Sequence, residues 1–463
     1  MASIYQSLSM FRDRRLLWIF LLGFSSGFPW VLIGSAMTAW LQEAGLTRTA
    51  IGFFGSVFIV YALNFLWAPL LDRLHLPLLG RWLGQRRSWI VLMQWIIIAA
   101  AIAIGLTNPE VSLLWTSLLA LLIAVASATQ DIAVDAYRIE IIGSDESDRI
   151  PYAAAITTSG WWTGFSLPGA AALYLSDLPG MEWSSVYLML AGMMALLSLL
   201  VWWIREPESR REQCQHDSEI HYEEELQEHH LGSHQAQHWM AWWAVTVVEP
   251  FAEFFRRNGW KLAFSVLAFI FLFKLGEAFL GRMSIVFYKE IGFSNSDIAT
   301  YSKLVGWWVT IIFSLVAGVF NARFGIVRGL MIGGIAMAST NLLFSWLALS
   351  GPNTTIFAIA VILDNFTSAF ATVTFVTFIS YLTSRTYTAT QYALMASLGN
   401  LGRTTVASFS GVVVDGLGGD WFTFFLLTAL MVVPALLLLW RIGHKISPNH
   451  TQQTIIYKRN RTR

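Results

Sequence analysis

Charged side chains stand inside several long apolar runs of this 463-residue sequence. One run near 112–141 contains Gln130, Asp131, Asp135 and Arg138, and the last three share one helix face because they are spaced by four and then three residues. Two neighbouring carboxyl groups in apolar surroundings favour protonation, so either group can take up and release a proton at physiological pH. The pattern predicts proton coupling by Asp131 and Asp135. Asp135 and Arg138 equally fit a structural ion pair that holds a gate.

A second charged pair lies in the run near 260–288. Lys274 and Glu277 are three residues apart and lie about 21–26 Å from the start of the run at 1.5 Å per residue, which is near the middle of a bilayer. The pair could simply neutralise itself. We favour a role in transport chemistry, in which Lys274 binds an anion and Glu277 exchanges a proton, because ionisable groups at this depth are costly.

Two later runs carry further polar residues that could bind a substrate. Asp364 and Asn365 are adjacent, and Asn400 and Arg403 lie on the next run. The guanidinium of Arg403 could hold a carboxylate by a two-pronged contact, or it could neutralise Asp364.

Aromatic residues offer a different chemistry. Trp161 and Trp162 stand in the middle of a run, away from the membrane interfaces where Trp usually collects. Their ring faces suit stacking against sugars, although simple helix packing would also explain them. We predict that Gln130, Trp161 and Trp162 contribute to a substrate site.

The composition identifies the elements that must position these residues. Hydrophobic residues make up 56% of the chain and charged residues 13%, which is about half the charged share of a soluble domain. A single cysteine, Cys214, excludes an intrachain disulfide and a multi-cysteine metal site. The net charge of +1 gives no support for nucleic-acid binding. The remaining class is an all-α polytopic membrane protein that lies in a lipid bilayer.

Twelve apolar runs are long enough to cross a bilayer, for which about 20 residues are needed. The predicted spans 1–6 lie near 16–41, 50–71, 88–106, 112–141, 151–175 and 184–204. The predicted spans 7–12 lie near 260–288, 298–320, 329–349, 354–383, 389–415 and 420–441. We therefore predict a six-helix bundle over 1–204, a linker over 205–259, a second six-helix bundle over 260–441 and a basic tail over 442–463.

The basic residues set the orientation. With a cytoplasmic N-terminus, 24 of the 30 Lys and Arg residues fall in cytoplasmic segments, whereas only Arg48 and Lys289 fall in the opposite loops. Positive charge is retained on the cytoplasmic side of membranes. Both termini and the linker are thus predicted to be cytoplasmic.

The two halves share a loop pattern. Asp72-Arg73 and a following Gly-Gln-Arg-Arg come after span 2, and Asn321 with Arg323 and a glycine come after span 8. This order resembles the loop signature of the major facilitator superfamily. The resemblance implies two bundles around a central chamber that opens alternately to each side. We predict gating roles for Asp72, Arg73, Arg138 and Arg323.

Gly27 precedes Phe28-Pro29 in span 1. This segment could loosen the helix, as gating requires. The glycine is explained as well by close packing against a neighbouring helix.

The linker has two parts. Residues 205–238 are acidic and contain six histidines; their irregular spacing favours a flexible linker and not a metal site. Residues 239–258 are rich in Trp and Phe and end in Arg256-Arg257, which predicts an amphipathic helix on the inner membrane surface.

Several segments together are similar to the AmpG muropeptide permeases of Gram-negative bacteria. They are Leu22-Gly23-Phe24-Ser25-Ser26-Gly27-Phe28-Pro29, Gln130-Asp131-Ile132-Ala133-Val134-Asp135-Ala136-Tyr137-Arg138, Lys274-Leu275-Gly276-Glu277-Ala278-Phe279, Ala389-Thr390-Gln391-Tyr392-Ala393-Leu394 and Leu401-Gly402-Arg403. The resemblance implies import of N-acetylglucosaminyl-1,6-anhydro-N-acetylmuramyl peptides across the bacterial inner membrane. It also implies a proton gradient as the driving force, recycling of peptidoglycan and a link to β-lactamase induction, hence to antibiotic resistance.

Two other classes of protein fit the sequence less well than muropeptide permeases do. Acetyl-coenzyme A transporters, or carriers of other organic anions, share the fold, but a coenzyme A ester would require more intramembrane cations than Lys274 and Arg403. A sensor or membrane enzyme would require a soluble domain or a catalytic cluster. A phosphate-binding loop of the G-x-x-x-x-G-K-[ST] type is missing from the sequence, which argues against an ATP motor. We expect a monomeric transporter, not an enzyme, that uses no cofactor besides the proton gradient.

Overall fold

The computed structural model describes residues 9–46, 54–107, 112–207, 211–228, 234–293 and 305–446. Every regular element in these ranges is a helix. Nine helices in these ranges are long and apolar enough to cross a membrane. The other three predicted spans are helical too: spans 2 and 11 consist of short consecutive pieces, and span 5 is a single helix of 27 residues. The structure confirms the all-α prediction.

The spans lie close to their predicted positions. Spans 1–6 run over Arg14–Glu43, Gly55–Leu66 continued by Ala68–Arg73, Gln85–Gly105, Leu113–Glu140, Ile150–Ser176 and Trp183–Leu200. Spans 7–12 run over Trp260–Ile291, Gly306–Phe324, Ile326–Ser350, Thr354–Leu382, Thr388–Thr404 continued by Val406–Phe409 and Ser410–Gly416, and Trp421–Lys445.

Spans 1 and 5 pack backbone against backbone. A Cβ atom added to Gly23, Gly27, Gly160 or Gly164 would lie between 2.0 and 2.6 Å from a carbonyl oxygen of the opposite helix. Only glycine permits this approach, because any side chain would force the helices apart. The packing interpretation of Gly27 is therefore sufficient to explain this residue.

Several spans depart from regular α-helix where the sequence predicts continuous helices, and three of these departures lie near the polar residues. Span 1 widens into a π-helical turn over Val31–Ser35. Span 7 is interrupted at Lys274, whose φ of −104° and ψ of 10° lie outside the helical region. Span 2 tightens into a 3₁₀ turn over Asn64–Leu66. Such irregular turns within helices occur often at functional sites, and here they lie beside the polar residues.

The linker is more ordered than the sequence predicts. The expectation of a flexible segment over 205–238 is wrong for Arg211–Glu228, which forms the first linker helix. Polar contacts of Gln215 with Thr386 and of Glu219 with Arg73 hold this helix in place. The periodicity of the sequence does not reveal contacts between such distant residues.

A second linker helix covers the predicted amphipathic segment. It runs over His234–Trp243, a π-helical turn at Ala244–Val248 and Glu249–Asn258. No group of three or more His, Cys, Asp or Glu side chains suited to a metal ion occurs in the described ranges.

The two halves meet at one end of the molecule. We call it the Arg-rich end: it is formed by the linker helices and by the loops that follow spans 2, 4, 8 and 10. Apolar contacts there join Ala154 and Ala155 of span 5 to Ala317 of span 8 and Phe370 of span 10. The polar residues of spans 1 and 4 bond to each other within the first half, and those of spans 7 and 10 within the second.

Candidate functional site

The first polar cluster joins span 1 to span 4. Ser26 donates a hydrogen bond from its hydroxyl to the carboxylate of Asp131. The amide Nε2 of Gln130 donates to Ser25 Oγ at 3.0 Å, and Gln130 Oε1 is buried with no hydrogen-bond partner among the described residues. Because Asp131 is held by a hydroxyl and not by a cation, protonation would not break an ion pair. This geometry suits a carboxyl group that alternates between charged and neutral forms.

Asp135, one turn away, is different. Its Oδ1 accepts from Arg138 Nη2 at 3.0 Å. Arg138 also donates to Ser380 Oγ of span 10 at 3.0 Å and lies 5.3 Å from the ring centre of Tyr392 in span 11. The structure thus places Asp135 and Arg138 in a contact between the two halves, which is the gate interpretation of this pair.

An aromatic cluster lies next to Asp131. Trp30 of span 1 lies 4.5 Å from Phe58 and 4.7 Å from Tyr61 of span 2, and 5.4 Å from Trp161 of span 5, between ring centres. The phenol of Tyr61 is within electrostatic range of Asp131. The indole nitrogen of Trp30 is buried with no hydrogen-bond partner in the described residues. Trp30, Phe58 and Tyr61 therefore accompany Trp161 at this site.

The sequence analysis missed these three residues. The signal was present for Trp30, since it follows Ser26 by four residues and so lies on the same face of span 1. Phe58 and Tyr61 carry no such signal. Trp162 contacts the ring of Trp161 edge to face at 5.2 Å but is among the exposed large side chains, so it lies at the margin of the cluster.

The second polar cluster lies in the other half. Lys274 Nζ is 3.0 Å from Glu277 Oε2 and donates to Thr372 Oγ1 of span 10 at 2.6 Å. Ser368, also of span 10, donates to Glu277 Oε1 at 2.5 Å. Asp364 lies within electrostatic range of Lys274 and Glu277. The helix break at Lys274 aims this buried ammonium group at span 10, so a lysine and two carboxyl groups share one site.

The remaining predicted binding residues are not all brought together. Asn365 Nδ2 donates to the carbonyl of Val361 at 2.8 Å, and its side chain packs against Gly306 of span 8. Asn400 is half-buried in span 11. Arg403 lies in the helix Thr388–Thr404, but its side chain is outside the described part of the structure.

Asp72, at the end of span 2, forms hydrogen bonds with the other half at the Arg-rich end. Its carboxylate accepts from the backbone N–H groups of Ala389 at 3.1 Å and Thr390 at 2.8 Å, and from the Thr390 hydroxyl at 2.7 Å. These are the first free N–H groups of span 11, so Asp72 caps a helix of the opposite half. Arg86 Nη2 forms ion pairs with Asp72 Oδ1 at 2.7 Å and with Glu140 Oε1 at 2.6 Å.

Three further contacts join the halves at this end. Arg385 donates to the carbonyls of Ile139 and Ile142 at the end of span 4. Tyr381 donates to the carbonyl of Ser147 at 2.5 Å, and Ser397 donates to Asn64 Oδ1 at 2.6 Å. Together with the Asp72 cap and the Arg138–Ser380 hydrogen bond, these contacts tie the two halves together at the Arg-rich end.

The two copies of the loop pattern make different contacts. Arg73 forms an ion pair with Glu219 of the first linker helix. In the second copy, Asn321 Nδ2 donates to Thr374 Oγ1 at 3.0 Å within its own half, and Arg323 lies in the last turn of span 8. The first copy reaches across to the other half through its aspartate, Asp72.

Comparison with known proteins agrees with this architecture. The Major Facilitator Superfamily profile matches residues 19–306. The proton:xylose symporter XylE superposes with a TM-score of 0.68 at 14% identity, covering 92% of this chain and 94% of the symporter. A human organic anion transporter superposes with a TM-score of 0.63 at 15% identity, covering 92% of this chain and 99% of that transporter. The matching profile, together with the fold, identifies the chain as a transporter of the Major Facilitator Superfamily and not an enzyme.

The sequence relatives narrow the class. The putative transporter AmpG 4 of Rickettsia conorii is 34% identical over 438 residues, covering 95% of this chain and 99% of the relative. The anhydromuropeptide permease of Escherichia coli is 30% identical over 435 residues, covering 94% of this chain and 81% of the relative. The chain therefore belongs to the AmpG transporters, as its sequence segments indicate.

Proposed function

We propose that this protein imports anhydromuropeptides together with protons. The observation that carries the proposal is the carboxyl group of Asp131, which has a hydroxyl partner and no ion pair in the described structure. A transporter that couples to protons requires a group whose charge changes without dismantling the fold. Asp131 meets this requirement, whereas protonation of Asp135 would leave Arg138 uncompensated. In the other half, Glu277 pairs with Lys274 but Asp364 lies close to both. Asp364 could compensate Lys274 when Glu277 is protonated, so Glu277 is the second proton site that we propose.

The two clusters fit the two ends of such a substrate. An anhydromuropeptide has sugar rings at one end and peptide carboxylates at the other. The aromatic cluster of Trp30, Tyr61 and Trp161 offers ring faces for the sugars, with Gln130 as a hydrogen-bonding partner. Lys274 offers a positive charge for the peptide, and we propose that Asp364, Asn365, Asn400 and Arg403 also bind the substrate.

We infer the setting from the family and from the charge distribution. The protein lies in the bacterial inner membrane as a monomer, with the Arg-rich end and both termini in the cytoplasm, because 24 basic residues lie on that side. The imported fragments are recycled for the cell wall and can signal β-lactamase induction. Asp72, Arg73, Arg138, Arg323 and Gly27 belong to the gate or its supports.

Uptake into oriented vesicles tests the proposal. Right-side-out vesicles should accumulate labelled disaccharide peptide, and an uncoupler should abolish accumulation. Asp131→Asn should keep substrate binding but lose accumulation, whereas Asp131→Glu should retain part of it. Uncoupler-sensitive accumulation by Asp131→Asn would contradict the role of this carboxyl group. Failure of the folded parent protein to bind the disaccharide peptide would contradict the substrate.

A further inference from the structure

The second linker helix, His234–Asn258, has two apolar faces. One face is buried and follows a four-residue spacing through Ala241, Val245 and Glu249. The opposite face is solvent-exposed although it consists of large apolar side chains, with exposed fractions of 62% for Trp239, 41% for Met240, 52% for Trp243 and 39% for Val247. We call these four residues the outer stripe. A water-facing helix would not retain such a stripe, because each side chain loses favourable burial.

The outer stripe continues into a surface that already faces lipid. The helix ends at Gly259, and span 7 begins with Trp260. Phe255 stacks on Trp260 with ring centres 4.6 Å apart, and Trp260 stacks on Phe264 at 5.9 Å. Trp260 and Phe264 are exposed on the outside of a membrane span. The apolar surface of the helix is thus continuous with the lipid-facing surface of span 7.

A basic residue accompanies this junction. Lys261 is exposed and follows Trp260 directly, whereas Arg256 pairs with Glu249 of the buried face. Tryptophan at the headgroup level with Lys or Arg beside it is the pattern of a helix lying in a membrane surface. Positive charge at this position favours anionic headgroups.

The inner side of the linker holds the two halves together. Arg73, at the end of span 2, pairs with Glu219 of the first linker helix and lies 6.0 Å from the ring centre of Trp242 of the second. Gln215 Nε2 donates to the carbonyl of Thr386 before span 11 at 3.1 Å. Gln391 Nε2 of span 11 donates to the carbonyl of Pro250 at 2.9 Å.

Further contacts bind the two linker helices to each other. The Tyr222 hydroxyl donates to Glu249 Oε2 at 2.7 Å, and His238 Nδ1 lies 2.5 Å from Glu223 Oε1. The linker therefore touches span 2 of one half and span 11 of the other, beside the capping contact of Asp72 with Thr390.

We propose that the two linker helices form a clamp that is stabilised by anionic phospholipid: the outer stripe lies in the membrane surface, Lys261 faces the headgroups, and the inner side keeps the Arg-rich end closed. When the outer stripe is not in the lipid, the linker helices are less stable in this position, and the Arg-rich end opens more often. This mechanism does not depend on which substrate is carried.

Spin labels test where the stripe lies. In a Cys214→Ser background, Met240→Cys labels the stripe, and His216→Cys labels the exposed side of the first linker helix as a matched control. In nanodiscs of phosphatidylcholine mixed with phosphatidylglycerol, the label at 240 should be relaxed by oxygen more than by a water-soluble nickel chelate, and the label at 216 should show the reverse. Equal access of nickel chelate to both labels would overturn the proposal.

Gate accessibility tests the clamp. In the same background, Ser380→Cys places a thiol beside Arg138, and its alkylation rate by a polar maleimide reports opening of the Arg-rich end. Phosphatidylglycerol should slow alkylation by about fivefold relative to phosphatidylcholine alone, the factor for one basic side chain near an anionic surface. Lys261→Gln should remove this lipid effect.

Trp239→Ser with Trp243→Ser should raise alkylation in both lipids, whereas the two Trp→Phe changes should not. The clamp proposal would be contradicted if the alkylation rate of the Ser380→Cys protein were the same in both lipids. It would also be contradicted if the double serine variant eluted as a folded monomer and its alkylation rate were unchanged.

Discussion

The two carboxyl groups on one face of span 4 have different partners, and this difference is the basis for proposing different roles for them. Asp131 accepts a hydrogen bond from Ser26, whereas Asp135 pairs with Arg138. Spacing alone predicts that both lie near Arg138. It cannot predict that Arg138 reaches Ser380 and Tyr392 in the other half and so takes Asp135 into the gate. That contact depends on a residue more than 200 positions away.

The Lys274–Glu277 pair leads to a prediction for the double variant. Removing one partner of a buried pair leaves a charge uncompensated, at a cost of about 3–5 kcal/mol, whereas removing both does not. Lys274→Met and Glu277→Gln should therefore each lower expression and uptake. Combining them should restore expression but not accumulation, because Lys274 and Glu277 both take part in transport. Expression is measured by fluorescence size exclusion and accumulation by vesicle uptake.

The adjacent contacts supply a control for this prediction. Thr372→Val removes only the hydroxyl that accepts from Lys274. It should reduce uptake by less than the Lys274→Met change. Restored accumulation in the double variant would leave Lys274 with a neutralising role alone.

The aromatic cluster leads to a prediction about affinity. Trp30 contacts three other rings beside Asp131. Trp30→Ala should weaken binding of the disaccharide roughly tenfold, since a stacking contact is worth about 1–3 kcal/mol for a flat ring system. Trp30→Phe should lose less, and Gln130→Ala should also weaken binding. Isothermal titration in detergent measures the affinities.

A tryptophan on the outside serves as the matched control. Trp346 of span 9 is exposed on the surface of the second bundle. Trp346→Ala should leave the affinity unchanged. Unaltered affinity in both Trp30→Ala and Gln130→Ala would place the sugar site elsewhere.

At the scale of helices, the ends of the spans matter as much as their lengths. The apolar runs predict where the spans lie, because burial in lipid demands about 20 apolar residues. They do not reveal the break at Lys274 or the π-helical turn over Val31–Ser35, which arise from packing between helices. Nor do they reveal the first linker helix, whose support comes from Arg73 and Thr386.

The capping of span 11 by Asp72 predicts the behaviour of a gate variant. Asp72→Ala removes the cap, and loss of a cap costs roughly 1–2 kcal/mol, or about a five- to thirtyfold shift in population toward the open Arg-rich end. The alkylation rate of Ser380→Cys should rise accordingly.

A second cap provides the control for Asp72. Asn353 Oδ1 accepts from the N–H groups of Thr355 and Ile356 at the start of span 10, within a single half. Asn353→Ala should lower the thermal stability by a similar free energy but leave the alkylation rate unchanged. If both variants raise the rate equally, the effect of Asp72 is general destabilisation and not gating.

The loop after span 4 leads to a prediction about pH. Arg15 donates to Glu146 Oε2 at 2.6 Å, and this hydrogen bond holds the pKa of Glu146 below its usual range. A group with a lowered pKa stabilises the fold above its unfolded pKa, and that contribution is lost as the pH falls through the folded pKa. The melting temperature of the parent should therefore fall on acidification below about pH 4.

The variant Glu146→Gln isolates this contribution. It should melt at a lower temperature than the parent at neutral pH, and the difference should shrink as the pH falls. Differential scanning fluorimetry in detergent measures both. A constant difference at all pH values would show that Glu146 does not stabilise the fold through its charge.

At the scale of the whole molecule, the distribution of contacts defines one state of a transport cycle. The described hydrogen bonds between the halves include those of Tyr381 and Arg385 near the loops and that of Ser397 with Asn64. Alternating access requires that such contacts break when the other side closes.

The deepest of these contacts gives the most direct test of alternating access. Ser397 donates to Asn64 Oδ1 at 2.6 Å across the interface between the halves. In a Cys214→Ser background, Asn64→Cys with Ser397→Cys can be bridged by a short bis-methanethiosulfonate reagent. Bridging should hold the Arg-rich end closed, so transport should stop while the substrate still binds, and reduction should restore transport. Asn341 and Thr428, joined at 3.0 Å within the second bundle, give the matched pair. Because bridging Asn341→Cys with Thr428→Cys ties together two helices that move as one body, transport should persist there. Continued transport by the bridged 64–397 pair would show that this contact does not have to open during the cycle.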